Sequence, residues 1–319
     1  MVGLLALSIV IAACGSVASG SQQEEEKGDG GASGQIAVEG SSTVLPITQA
    51  AAEAFNQQNP DVRITVGGAG TGDGFEAFCN GDTQISDASH PIEEDEVQAC
   101  QKNGVEFIET PVALDALSVV VNSQNNFASD ITLEQLSTLW EPDAEGQVTT
   151  WNQVNPEWPE QQINLYGPGT ESGTFDYFTD KVVGEEGASR TDYQASEDDN
   201  VLVQGVGGDP NALGYFGLSY FVQNQQRLKA LAVNGVAPSE ETAQSGEYPL
   251  SRPLFIYVST QALEENPSVE EFVSYYLENL NQFVEQAQYV PLNEQALQEA
   301  RERFQNRTTG SSPEGALGG

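Results

Sequence analysis

YGPGTESGTFDYF, residues Tyr166–Phe178, is the stretch from which the fold can be read. The run Ile163-Asn164-Leu165-Tyr166-Gly167 leading into it predicts a short strand. A loop carrying Gly167, Gly169, Thr170, Ser172, Gly173 and Thr174 follows. Phe175, Phe178 and Val182 then recur at roughly helical spacing, so a helix is expected to start near Thr174. A glycine-flexible loop feeding a helix leaves backbone N–H groups unpaired and aimed at one point, with the positive end of the helix dipole behind them. Such a turn holds an anion without any basic residue. The alternative is an ordinary helix start, with Ser172 or Thr174 as its N-cap.

The same layout recurs upstream. Ordered structure is expected from Gln35, where QIAVEGS alternates as a strand does. Ser41, Ser42 and Thr43 then precede ITQAAAEAFNQQNP, an Ala-rich helical pattern stopped at Asn59-Pro60. DVRITVGGAG predicts a second strand running into GGAGTGDGF, with a helix over Gly74–Cys79. DTQISDASHPI predicts a third strand end, bearing hydroxyls, Asp87 and His90. The helix EEDEVQACQKNG follows, closed by Asn103-Gly104. In an open α/β sheet, ligands bind outside the carboxyl ends of the strands. Small hydroxyl residues at several such ends favour the anion reading over capping alone. Farther on, VEFIETPVALDALSVVVN is a β-rich run suited to leaving one lobe for another, and SRPLFIYVS is suited to carrying the chain back. PSVEEFVSYYLENL and NEQALQEARERF are amphipathic helices.

The chain has 319 residues, enough for two domains of ordinary size. Its 48 acidic against 11 basic residues give a formal charge of −37. That balance excludes a nucleic-acid surface, which must neutralise phosphates, and it favours solubility in screening salt. Gly3–Ala13 is an apolar run too short to span a bilayer, ending in small residues before Cys14. Ile11-Ala12-Ala13-Cys14-Gly15 resembles a bacterial lipobox. Residues 1–13 therefore read as a signal peptide, Cys14 as a lipidation site, and 14–34 as a Gly/Ser/Glu tether too polar to pack. The two remaining cysteines of an exported chain, Cys79 and Cys100, suggest one disulfide, worth roughly 3 kcal/mol by the loop-entropy argument. With His90 the sole histidine and no Cys-x-x-Cys pair, no metal site is expected.

Taken together, GSSTVLPIT, GGAGTGDGF, ISDASHPI, LYGPGTESGTFDYF, ASEDDNVLVQGV, NALGYFG and SRPLFIYV, in this order, resemble the PstS family. These are the phosphate-binding proteins of the high-affinity phosphate ABC transporter. The stretches span about Gln35 to Val258, and Cys79 and Cys100 match cysteine positions of the cyanobacterial SphX-type branch. The resemblance implies an α/β, type II periplasmic-binding-protein fold. Residues 35–117 plus 253–308 would form one lobe, 118–252 the other and 309–319 a tail, with phosphate in the cleft.

Carried over residue by residue, Ser42 and Thr43 match the first hydroxyl loop, either being a candidate contact, and Thr71 the second. Asp87 matches the aspartate of the third loop, and Ser172, Gly173 and Thr174 the SGT of the opposite lobe. Ser89 and His90 are secondary candidates. Two positions depart from the family: His90 stands where many relatives carry Arg, and Pro168 where others carry Arg four residues before the Ser of SGT. Arg190 and Arg252 are the cations left to reach the cleft, with a surface or lobe-packing role favoured for each.

The implied mechanism is binding by neutral donors. Asp87 would accept a hydrogen bond from the proton that phosphate carries at neutral pH and would repel unprotonated sulfate. The expected protein is a lipid-anchored monomer in the periplasm or on the outer face of the membrane. It would pass inorganic phosphate to permease subunits, with no cofactor and no catalytic residue. Another oxyanion on the same fold is one alternative. A serine hydrolase or phosphatase is a second, although it would have to recruit His90; a surface adhesion or sensory protein of this fold is a third.

Overall fold

Phe107–Asn122, a buried 16-residue strand, carries the chain from one half of the molecule to the other. It is rich in Val, Leu and Ala, as a strand covered on both faces must be. The structure, a computed structural model, describes residues 34–312. The expected signal peptide, the Cys14 lipidation site and the tether up to residue 33 lie outside the described residues, as does the tail from residue 313.

In chain order the strands are β1 (Gly34–Gly40), β2 (Val62–Val66), β3 (Ile85–Ala88), β4 (Phe107–Asn122), β5 (Asp130–Ile131), β6 (Asn164–Pro168), β7 (Gln194–Ser196), β8 (Ala212–Gly217), β9 (Leu228–Ala230), β10 (Ala232–Val233) and β11 (Ser251–Ser259). The main sheet runs β2-β1-β3-β11-β4-β8-β6-β7, with β9 also on β4. β1, β2 and β3 are parallel to one another, as are β6, β7 and β8. β4 and β11 run antiparallel to their neighbours and join the two groups. β4 changes partners in its middle: Phe107–Ala116 pairs with β11, Leu117–Val121 with β8.

Each half has its own core. Ile36, Val38, Phe55, Ile256 and Phe272 belong to one. Trp140, Trp151, Phe178 and Tyr215 belong to the other, where the Phe178 and Tyr215 rings stack 3.7 Å apart. This is the α/β periplasmic-binding-protein architecture expected. Cys79 and Cys100 are buried and joined in a disulfide, tying the Thr71–Cys79 helix to the Glu94–Asn103 helix.

Local differences have simple causes. The second helix starts at Thr71, not Gly74, because Gly70 at φ 120° turns the chain in a conformation open to glycine. LKALAVNG makes two short strands, β9 and β10, rather than one. The tail expected from residue 309 is held at its start: Gly310 N–H donates to Phe107 O, and Ser312 N–H to the buried Glu109 Oε1 at 2.7 Å.

Candidate functional site

Three loops, each leaving the carboxyl end of a parallel strand, meet at one cavity of about 660 Å³. From β1 come Ser42 and Thr43, from β2 Gly70 and Thr71, from β3 Ser89 and His90. Thr43 and Thr71 are buried and Ser42 exposed. The Thr71 hydroxyl accepts from Ser89 N–H at 3.2 Å and lies 3.1 Å from Ser89 Oγ, so two loops share one hydroxyl pair. His90 Nδ1 lies 3.0 Å from Pro91 O.

The helices that begin here share one feature, found also in Leu218–Gln223 and Leu280–Gln286. Neither Leu45–Gln58 nor Thr71–Cys79 has a side-chain cap. Ser172, Asp198, Ser239, Ser259, Asn266 and Asn293 do cap the helices they precede. In Thr71–Cys79 first-turn N–H groups are thus available to a guest, whereas in Leu45–Gln58 Pro46 carries none and the N–H groups of Leu45 and Ile47 donate to Ser41 O and Val44 O.

Arg252 supplies the charge. It stands at the start of β11 directly across from Asp115 of β4, and its Nε donates to Asp115 Oδ2 at 3.2 Å. Its guanidinium lies 4.2 Å from the Tyr177 ring centroid. Nη2 reaches Thr43 Oγ1 at 3.2 Å and Gly173 O at 3.4 Å, one contact on each lobe. Burial pushes the Asp115 carboxyl up and the Arg252 charge opposes this, as expected of a buried pair. Arg252 therefore packs the lobes together, as favoured from the sequence, and also lines the cavity, the other reading the sequence left open. Arg190 does pack within its lobe, donating to Asp192, Leu139 O and Val148 O. The signal in the sequence is a charge inside each crossover strand, Asp115 in PVALDALSVVV and Arg252 in PLSRPLFIYV.

Opposite lies the SGT loop. Ser172 caps the Gly173–Phe178 helix by accepting from Thr174 N–H at 3.2 Å, so the capped-helix alternative is realised here. The helix is six residues long and continues into a π-helical turn, Thr179–Val183. Gly173 sits against Thr43, and a methyl group at Gly173 would run into Thr43 Oγ1. Ser172 and Thr174 line a separate cavity of about 180 Å³ with Asp115, Asp199, Tyr220 and Tyr289. Burial, chiefly, and the nearby charges of Asp198, Asp115 and Glu197 push Asp199 up to about 7. The single cluster anticipated from the sequence is thus two adjoining cavities, walled apart where Arg252, Thr43 and Gly173 meet.

Asp87 is in neither cavity. Successive side chains of a strand point to opposite faces. Asp87 therefore shares the face of Ile85, which packs into the core that also holds the Leu45–Gln58 helix. It is fully buried, and neither carboxylate oxygen has a hydrogen-bond partner of good geometry among the described residues. Desolvation pushes it up to about 8; the Thr48 hydroxyl offsets part of this and Glu39 adds to it. Asp87 therefore has no access to a guest in the cleft. Its backbone serves the site instead, Asp87 O accepting from Ser41 N–H at 2.8 Å.

Comparison with known proteins agrees with the architecture. A family profile described as "PBP superfamily domain" matches residues 25–279. Protein SphX of Synechocystis sp. is 50% identical over 266 residues, covering 82% of this chain and 79% of that protein. The phosphate-binding protein PstS of Staphylococcus saprophyticus is 36% identical over 290 residues, 89% of this chain and 86% of its own. A crystal structure described as "a possible phosphate binding protein" from Planctomyces limnophilus superposes with a TM-score of 0.82 at 42% identity, covering 87% of this chain and 99% of that one. With the uncapped start of Thr71–Cys79 and an arginine converging on an interlobe cleft, and with similarity over most of its length, the chain belongs to the PBP superfamily, in the family of the SphX and PstS proteins.

Proposed function

We propose that the protein captures inorganic phosphate between its lobes and hands it to an ABC permease for uptake. The observation that carries this is convergence: the uncapped N-terminus of Thr71–Cys79, the Thr43, Thr71 and Ser89 hydroxyls and the Arg252 guanidinium share one cavity. Backbone N–H groups and hydroxyls bind a tetrahedral oxyanion through local dipoles, and one guanidinium adds a charge-assisted contact. The names of its relatives, phosphate-binding protein among them, support phosphate as the guest. Ser42, Thr43, Thr71, Ser89, His90 and Arg252 are the proposed contacts of one lobe and the hinge. Gly173, with Ser172 and Thr174 behind it, belongs to the surface that closes over the guest. Contacts on both lobes favour the closed form, which the permease would recognise.

The reading is of a receptor rather than a catalyst. Ser172 faces one cavity and His90 another, so the serine–histidine pair of a hydrolase is not assembled. An extracytoplasmic location, Cys14 lipidation and a monomeric state complete the proposal. The test is calorimetric titration of the purified protein with phosphate and with sulfate. Heat and thermal stabilisation with phosphate are expected, and their absence overturns the reading. Turnover of a chromogenic phosphate ester would favour an enzyme instead.

A further inference from the structure

Glu109 is a carboxylate sealed near the start of β4, 2% exposed and outside both cavities. A buried charge needs partners for its oxygens, and one left bare is costly. Among the described residues no cation pairs with its carboxylate; Arg303 donates to its backbone O instead. Neutral donors take that place. Tyr257 Oη donates to Glu109 Oε2 at 2.8 Å, and Ser312 N–H donates to Oε1 at 2.7 Å. The first bond ties the crossover strands side by side, since Tyr257 of β11 stands opposite Glu109 of β4.

The Tyr257 hydroxyl also accepts, from Ile92 N–H at 2.8 Å. Ile92 directly follows Ser89, His90 and Pro91, which line the cavity from the loop after β3. Burial, chiefly, and the Glu109 charge push the Tyr257 hydroxyl far up, so its proton stays on the oxygen. A hydroxyl that gives its proton to Glu109 turns its lone pairs to Ile92. The Tyr257 ring packs edge-to-face on Phe75 with centroids 4.9 Å apart, and Phe75 belongs to the helix whose first turn lines the cavity. We propose that Tyr257 and Glu109 are a positioning pair for the phosphate cavity, fastened from behind by the C-terminal strap of residues 308–312. Release of Ser312 would loosen the loop of Ser89 and His90 without touching the guest. This rests on the phosphate reading above.

The strap is built to hold this place. Phe107 to Ala116 of β4 pairs with β11 along one edge, and Gly310 bridges to Ile108 along the other. Gly310 N–H donates to Phe107 O, and Arg303 donates to both Gly310 O and Glu109 O. At the far end of the relay, Ser89 N–H donates to Thr71 Oγ1 at 3.2 Å, so the loop after β3 steadies the loop after β2 as well. A site that grips through fixed dipoles and hydroxyls loses affinity when the loop aiming them is free to move, because the guest must then do the ordering.

The experiment is phosphate calorimetry on the wild type, Tyr257→Phe and Ser312→Pro, with the ring C–H resonances of His90, the chain's sole histidine, followed by NMR. Tyr257→Phe keeps the ring and removes both bonds of the hydroxyl. Its phosphate affinity is expected to fall about tenfold, and the His90 resonances of the ligand-free protein to move from their wild-type positions. Ser312→Pro removes one N–H outside the cavity, and is expected to weaken binding about threefold while moving the His90 resonances in the same direction. Variants that lose thermal stability while affinity and His90 resonances stay at wild-type values overturn the proposal, because the pair would then serve the core alone. Should Tyr257→Phe fail to fold, Ser312→Pro decides by the same readings. A wild type that takes no phosphate sinks the underlying reading, and that result is visible before any variant is compared.

Discussion

The two faces of the cleft are built on opposite plans. On one, the helix Thr71–Cys79 begins without a side-chain cap and its first turn, Thr71 to Asp73, lines the cavity. On the other, Ser172 closes its own helix start by accepting from Thr174 N–H. A capped start has spent a donor internally, whereas an uncapped one still needs a partner. One face is therefore the grip. The other contributes Gly173 and Tyr177, which approach the grip and its arginine closely. Arg252 joins them, since its Nη2 reaches Thr43 on one side and Gly173 on the other.

The heaviest blow to this arrangement is Arg252→Ala. Phosphate affinity is expected to drop at least 100-fold, about 3 kcal/mol, the upper range for a hydrogen bond to a charged group. Stability should also fall by roughly 3 kcal/mol, because Asp115 is buried and would lose its partner. The double variant Asp115→Asn/Arg252→Ala separates the two effects. It should recover most of the stability, measured by denaturant unfolding, and none of the binding. If the double variant regains phosphate affinity, Arg252 serves the hinge and not the guest.

Much of this was legible in the sequence, for physical reasons. Strand, hydroxyl-rich loop and helix recur in order, and that periodicity fixes an α/β sheet with its ligand loops on one edge. The crossover strands could be recognised as long apolar runs, and they are β4 and β11. Side-chain direction is legible as well, in β3. In Ile85-Ser86-Asp87-Ala88 the aspartate alternates in phase with Ile85, and a residue in phase with a core isoleucine points into the core. Arg252 could be named as a candidate cation but not chosen over Arg190, because its partner Asp115 is 137 residues away and only the register of β4 on β11 brings them opposite. The division of the site into two cavities depends on how closely Thr43 approaches Gly173, and no local pattern encodes that distance.

A second way to sharpen the contrast lies beneath the grip. Asp87 is held near pKa 8 in the folded protein, well above the ordinary carboxylate value of 3.8. The folded state thus binds the proton more tightly than the unfolded chain does. Its contribution to stability is fully present below about pH 4 and is lost as pH rises through 8. Asp87→Asn keeps the shape without the titration. The wild type should lose stability relative to Asp87→Asn between pH 5 and 8, by up to a few kcal/mol, in parallel denaturant titrations. Parallel curves would mean that Asp87 stays ionised and has found a partner.

The mildest test compares two serines, one on each face. Ser42 is exposed, lines the cavity and precedes an uncapped helix. Ser172 is the cap of a short one. Ser42→Ala should weaken phosphate binding about fivefold, roughly 1 kcal/mol, and leave thermal stability unchanged, since it removes a hydrogen bond made to the guest alone. Ser172→Ala should do the reverse, costing about 1 kcal/mol of stability with a smaller change in affinity, because its hydroxyl is already committed to Thr174 N–H. Equal losses of binding from both would mean that the guest displaces the cap. Ser172 would then turn from its helix to the oxyanion as the lobes close, and the second face would become a grip only once the first has taken hold.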